Sequence, residues 1–379
     1  MEIEKQPIRN VGESTCLIIA DSLPLPGCTG TGVIFQQHIA LTAKIFKSVS
    51  VIANFDKSRG VRKHQLAPNL TLYEGVKMLR MPVRLRQIAA LLTYIYRGLR
   101  VMRQQRSDIV VAHGIRWAGF IGAVIALLGR RPYYLVIHSA SPENERALYL
   151  RFITWFSIRK STKVLFVSEG QQQNYSDAFR IRQPVILGNP VDTQIFRPPA
   201  KLLPPPKIAR ILFAARPTRA KGFDTFLQLT DRIIGERDDI NFLILTDLAL
   251  LSPADAKQIE RFGERVEIRQ FVDHDEFAEI LNEITILVCL SLFESFSYVI
   301  AEAMACGKPV LATRCDGPIE LVDPKSGVLI PIGDFSAAHE KLCWMVDHQD
   351  HFDPMDVRAS ITSRYAFDQI VDRMRKIFE

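Results

Sequence analysis

The run Phe293-Glu294-Ser295-Phe296-Ser297-Tyr298-Val299-Ile300-Ala301-Glu302-Ala303 places two carboxylates eight positions apart, and its flanks say what holds them. Before it, Ile284 to Leu290 is short, apolar and rich in β-branched residues, the pattern of a buried strand. From about Ser297 the spacing of Val299, Ala303 and Met304 is helical, and Gly307-Lys308-Pro309 ends the helix. Pro309 to Thr313 then reads as a second buried strand. The expectation is a strand, loop, helix and strand in succession, with Glu294 in the loop and Glu302 on the helix. Ligands of open α/β sheets bind at the carboxyl ends of the strands, where amides at a helix start attract phosphate. A carboxylate there can accept hydrogen bonds from sugar hydroxyls. Spacing alone leaves an alternative open: Glu294 capping the helix, and Glu302 solvated or ion-paired on it.

Other segments carry compatible chemistry. Ile211 to Asp224 runs from an apolar strand through Arg216, Arg219, Lys221 and Gly222 into a helical pattern. Two cations in such a loop suit a diphosphate, because the Arg216 fork can grip two oxygens while Lys221 acts as a point charge. Arg219 is a third candidate, and a solvated basic loop is the plainer alternative. Near the amino end, Cys16 to Asp21 reads as a buried strand, followed by a turn with Gly27, Gly30 and Gly32. A helical pattern follows, with Ile34, His38, Leu41 and Ile45 on one face. A glycine-rich turn lets backbone approach a phosphate or sugar closely. His113 and His138 both stand at strand carboxyl ends, although a buried histidine with no role is the commoner case.

Glu294 and Glu302 look like the E-x7-E motif of the retaining GT-B-fold glycosyltransferases of family four, the group 1 type. The Arg216, Lys221 and Gly222 loop and the Gly30 and Gly32 turn also resemble that family. Val185 to Pro198 resembles its "N-G-V-D-x-x-x-F-x-P" stretch, with Pro190 where the family has glycine, and is read as structural. The resemblance implies an α/β protein of two facing Rossmann-like domains with an interdomain cleft. It also implies a nucleoside diphosphate sugar donor, UDP- or GDP-linked, and transfer of a hexose with retention. Arg216 and Lys221 would then stabilise the leaving diphosphate, helped by amides of Ser295, Phe296 and Ser297. Glu294 would hold donor-sugar hydroxyls, Glu302 the ribose, and His138 the sugar or acceptor. Backbone near Phe271 and Val272 would meet the base. Two departures bear on these roles: Thr246-Asp247-Leu248 replaces a glycine-rich turn, and Ser297 replaces a glycine after the first glutamate. No D-x-D stands in a plausible donor loop, so neither metal nor other cofactor is expected to be required.

With 379 residues, two domains are expected: 1–198 on the acceptor side, joined by a returning C-terminal helix at 360–379, and 199–359 for the nucleotide sugar. The proline-rich stretch Pro198 to Pro206 reads as the connection. Hydrophobic content of 47% and charged content of 23% are those of a soluble globular protein. The six cysteines form no C-x-x-C pair, a reduced and cytosolic pattern. No secretory signal is visible, and Trp117 to Gly129 is too short to cross a bilayer, which takes ~20 residues.

The net charge of +7 is uneven: between Glu74 and Asp108 there is no acidic residue, while Lys77, Arg80, Arg84, Arg86, Arg97, Arg100, Arg103 and Arg106 fall there. Such a basic amphipathic region suits an anionic membrane, and the plainer alternative is a core helix with solvated arginines. The protein is therefore expected in the cytoplasm, at the inner face of the cell membrane if this region meets lipid. Together with this basic region, the family resemblance implies a glycan or lipid-linked hydroxyl as acceptor, in cell-surface polysaccharide or lipopolysaccharide assembly. No nucleic-acid-binding motif accompanies the basic stretch. Two rival classes stand beside this reading. A non-catalytic membrane-associated protein on the same fold would not need all four of Arg216, Lys221, Glu294 and Glu302. A dinucleotide-dependent oxidoreductase would need G-x-G-x-x-G, which Gly27, Gly30 and Gly32 do not supply.

Overall fold

A computed structural model of the chain describes residues 10–21, 33–53, 62–74, 83–138, 148–201 and 206–379. The chain divides into two units, Met1–Pro190 with Asp368–Glu379, and Val191–Phe367. The first unit therefore ends ahead of the proline-rich stretch, and the returning segment starts at Asp368 instead of residue 360.

In the first unit the elements follow as β1 (Thr15–Ala20), α1 (Val33–Ile45), β2 (Ser48–Ala53), β3 (Arg62–Ala67), β4 (Leu70–Glu74), α2 (Val83–Gln104) and β5 (Ile109–His113). Then come α3 (Trp117–Gly129), β6 (Tyr133–Ile137), α4 (Leu148–Lys160), β7 (Lys163–Phe166), α5 (Glu169–Ala178) and β8 (Pro184–Ile186). The sheet order is β3-β4-β2-β1-β5-β6-β7-β8. All its pairings are parallel except β3 with β4. The central strands β1, β5 and β6 are buried along their whole lengths but for Thr15 at the start of β1, which is why they read as unbroken apolar runs instead of alternating ones.

The second unit runs β9 (Ala209–Ala214), α6 (Phe223–Ile234), β10 (Ile240–Thr246), α7 (Pro253–Arg261), β11 (Val266–Gln270), α8 (His274–Glu283) and β12 (Ile286–Cys289). It continues through α9 (Tyr298–Ala305), β13 (Val310–Thr313), α10 (Asp316–Leu321), β14 (Gly327–Ile330), α11 (Phe335–Asp347) and α12 (Pro354–Tyr365). Its sheet is all parallel in the order β11-β10-β9-β12-β13-β14. From β9 the chain moves first toward β10 and later returns to β12 on the other side. The connections that leave β9 and β12 therefore run to opposite sides, and the loops after these two strands meet at the switch point of the carboxyl edge. The same reversal in the first unit lies between β1 and β5.

Helix α13 (Phe367–Phe378) closes the chain. Phe378 packs edge-on against Phe46 at 5.5 Å and Tyr134 at 4.9 Å between ring centroids. Lys163 donates to the Ile377 carbonyl at 2.5 Å and Arg373 to that of Leu187 at 2.7 Å.

Candidate active site

Two close approaches stitch the β9 and β12 loops together. Leu292 N–H donates to the Ala220 carbonyl at 2.9 Å, and Gly222 sits with φ 72° against Leu290, where an added Cβ would lie 2.2 Å from the Leu290 carbonyl oxygen. Only glycine meets both conditions. From the other side, Gly317 N–H donates to the Glu294 carbonyl at 2.8 Å. A Cβ on Gly317 would stand 2.5 Å from the Phe296 carbonyl oxygen.

This stitching brings Lys221 to Glu294, with Nζ to Oε1 at 2.6 Å. The same Oε1 accepts from Ser291 Oγ at 2.8 Å. Around them lies a pocket of about 170 Å³ lined by Lys221, Ser291, Glu294, Ser297 and Tyr298, with Phe213 to Ala215 and Val288 to Cys289 as its floor. Sequence reasoning did not single out Ser291; a hydroxyl directly after a buried strand and three residues before a glutamate is the signal that marks it. Arg216 stands exposed at the rim and is not among the lining residues. It makes no side-chain hydrogen bond or ion pair among the described residues. Arg219 is exposed too.

Helix α9 starts in this pocket. Its N-cap, Ser297, has φ 76° and ψ 88°, the left-handed backbone expected of the glycine it replaces. Ser295 and Phe296 precede it, with Phe296 buried against Tyr298 and Tyr365. Glu302 lies one turn further, 7% exposed, and forms no ion pair among the described residues. Burial pushes its carboxyl up to about 8. Glu302 is therefore neither solvated nor ion-paired, and Glu294 is a paired loop carboxylate; no side-chain bond caps α9. The neighbouring Tyr298 hydroxyl is buried with no hydrogen-bond partner among the described residues. The nearby thiols are quiet, because burial pushes Cys315 up to about 12 and raises Cys289. Phe271 and Val272 follow β11 on the same edge of the sheet, with Phe271 N–H donating to the Thr246 carbonyl at 3.0 Å.

In the first unit, His113 Nδ1 meets His138 Nε2 at 3.1 Å, with the rings nearly parallel. His38 packs across both, its ring centroid 5.8 Å from that of His113 and 5.1 Å from that of His138. Its Nε2 donates to Asn189 Oδ1 at 2.9 Å. Burial lowers all three, His38 to about 4, so the cluster is neutral. Among the described residues one nitrogen on each ring has no hydrogen-bond partner: His38 Nδ1, His113 Nε2 and His138 Nδ1. His38 had been placed only on an apolar helix face, and its polarity amid Ile34, Leu41 and Ile45 is the clue to its membership. Gly30 and Gly32 lie outside the described residues.

The basic region needs one correction. Arg97 is not a solvated face residue: it donates to the Glu74 carbonyl at 3.3 Å and lies 5.7 Å from the Tyr73 ring centroid. Arg100, Arg103 and Arg106 are exposed. Lys77 and Arg80 lie outside the described residues, as do the side chains of Arg84 and Arg86. No helix among the described residues is long and apolar enough to cross a membrane.

Comparison with known proteins agrees with this architecture. A model described as glycosyl transferases group 1 matches residues 208–348, and one described as glycosyltransferase family 4 matches residues 48–195. An uncharacterized glycosyltransferase of Methanocaldococcus jannaschii is 22% identical over 78% of this chain and 82% of its own. Among solved structures, sucrose-phosphate synthase from Thermosynechococcus elongatus superposes with a TM-score of 0.76 at 17% identity, covering 97% of this chain and 98% of that one. HepE of Anabaena in complex with UDP-glucose superposes at 0.72 with 18% identity, over 96% and 98%. The two matched segments, one in each parallel-sheet unit, and the fold shared over nearly the whole length place this chain among the group 1, family 4 glycosyltransferases of GT-B fold.

Proposed function

We propose that the protein transfers a hexose from a nucleoside diphosphate sugar to a hydroxyl of a glycan or lipid-linked acceptor, with retention at the anomeric carbon. The observation that carries this reading is the Lys221–Glu294 pair at the switch point of the second sheet, at the start of α9. As it stands, the pair satisfies itself. A diphosphate reaching Lys221 takes over that cation, and Glu294, still oriented by Ser291, is released to accept hydrogen bonds from sugar hydroxyls. Charge building on the departing phosphate is met by Lys221, by Arg216 from the rim and by the amides of Ser295 to Ser297. The protein adds no separate nucleophile: a leaving phosphate oxygen takes the acceptor proton as the hydroxyl attacks from the same face. His138 supplies a neutral imidazole for sugar or acceptor.

The UDP-glucose bound by HepE favours a UDP-sugar among the donors. Assembly of a cell-surface polysaccharide or lipopolysaccharide is the setting we favour, at the inner face of the cell membrane.

Calorimetric titration with UDP, GDP and their glucose conjugates tests the assignment. Lys221→Ala is expected to weaken every nucleotide by roughly tenfold or more, the usual cost of losing a charged hydrogen bond. Glu294→Ala is expected to abolish sugar transfer while retaining UDP binding. The anomeric configuration of the product, read by NMR, decides retention. A wild-type protein that binds no nucleoside diphosphate removes the reading altogether.

A further inference from the structure

Helices α2, α3 and α4 contain no aspartate or glutamate anywhere along their lengths. They pack in that order, α3 between the other two, on one side of the first sheet. An ordinary surface helix turns charged residues to water. Helix α3 instead exposes Trp117, Leu127 and Leu128, and α4 exposes Leu148, Tyr149, Phe152 and Trp155. Leu148 is 84% exposed and Trp155 49%. The α4 residues recur at helical spacing, so they form one stripe on the helix opposite the buried Ile153, Thr154, Ser157 and Ile158. Phe152 and Trp155 lie 5.8 Å apart between ring centroids, and Phe156 joins them to Phe120 of α3. This is a continuous apolar surface spread over two helices, beyond the scattered apolar residues that any protein exposes.

Cations border it. Arg151 is exposed within the α4 stripe. The stripe runs into a pocket of about 300 Å³ lined by Trp155, Ile158, Arg159, Phe179, Arg180 and Arg182. Three guanidinium groups beside an apolar wall match an anionic head group joined to a hydrocarbon chain. The absence of any acidic side chain on the three helices removes the repulsion that such a head group would otherwise meet. Among the described residues, neither these three helices nor the pocket lining offers a protein partner an acidic residue to fix its register.

We propose that the α3 and α4 face docks on an anionic phospholipid bilayer, with Leu148, Phe152 and Trp155 entering the acyl boundary and Arg159, Arg180 and Arg182 meeting head-group phosphates. This places the docking surface on α4, away from the basic segment that the sequence suggested. It also stands independently of the donor assignment, since every residue involved belongs to the first unit. Because α4 follows β6, its amino end lies at the sheet edge that carries His138. Docking therefore brings that edge to the lipid surface, where a lipid-borne acceptor hydroxyl would be found.

The test is co-sedimentation of the full-length protein with vesicles of phosphatidylcholine alone or mixed with phosphatidylglycerol, at low and high salt. Binding to the anionic vesicles is expected, weakening at least about tenfold in high salt or without phosphatidylglycerol. The pairs Phe152→Ser with Trp155→Ser, and Arg159→Glu with Arg180→Glu, should each weaken it at least about tenfold while keeping wild-type melting and nucleotide binding. In a Trp117→Phe, Trp344→Phe background, the remaining Trp155 emission should shift to the blue on anionic vesicles. Absence of sedimentation at low salt overturns the proposal, as does equal binding to both vesicle types. A dimer in sedimentation equilibrium that the Phe152 and Trp155 pair dissolves would instead assign this face to a second copy.

Discussion

Glu302 is a carboxyl held up by burial, from its ordinary 4.5 to about 8. The folded protein thus binds this proton more tightly than the unfolded chain does. Its burden on stability is absent below pH 4.5, grows as pH rises through the window, and is full above about 8. Glu302→Gln should therefore raise the melting temperature by an amount that increases across this window. At the upper end the gain is on the order of a few kcal/mol. Thermal scans over pH read it directly, and a constant gain would show that the carboxyl titrates normally. If ribose hydroxyls bind the ionised form, wild-type nucleotide affinity should rise with pH across the same window, and the glutamine variant should lose that slope. Ser297 offers a second measurement. A left-handed residue with a Cβ costs about 1–2 kcal/mol, and the freer unfolded glycine takes back about 0.5–1. Ser297→Gly should accordingly stabilise the protein by about 0.5–1 kcal/mol in denaturant unfolding.

At the scale of elements, the site depends on loop stitching more than on either helix. Gly222→Ala forces a Cβ toward the Leu290 carbonyl, so either the β9 loop or the β12 loop must move. It should cost at least about 2 kcal/mol and weaken nucleotide binding, while the conservative Leu290→Ile should do neither. Chemical denaturation and calorimetry check both. Such stitching explains what was legible beforehand. Ile211 to Ala214 and Ile286 to Cys289 announced themselves because strands buried on both faces have no polar residue to interrupt the run. Glu294, Lys221 and the Ser297 turn followed from their places after those strands. The edge strand β3 and its neighbour β4 did not, since Arg62 to Glu74 alternates and is charged, the pattern of a surface loop as much as of a strand. The histidine cluster was only half visible: His113 and His138 end strands, but His38 and Asn189 reach them from distant segments whose meeting is tertiary. Arg97 was misplaced for the same reason, because its acceptor lies on β4.

For the whole molecule, the chain leaves the first unit at Pro190 and re-enters it at Asp368. The helix that re-enters is strongly held, with Ile370, Val371, Met374, Ile377 and Phe378 buried. Truncation before Asp368 should lower hydrogen-exchange protection in β6 and β7, which lose Phe378 and the Lys163 bond, and leave β9 and β12 protected. Equal loss in both sheets would show that α13 does not belong to the first unit alone. The last helix was legible at about Phe367 to Phe378, whereas its return to the first unit was legible only through the family resemblance, because α12 and α13 meet without a glycine or proline to mark where one unit ends. The two ends of the second unit also meet: Val191 bridges to Ala366, and its N–H donates to the Tyr365 carbonyl at 2.8 Å. A ribosome delivers this polypeptide from one end only. The surface of Phe46 and Tyr134 that Phe378 covers is therefore made early and stays bare until α13 emerges, while the intervening unit, whose ends already touch, can close on itself. A nascent chain stalled before α13 has emerged would carry one finished unit and one with an open apolar seam, a natural client for a chaperone.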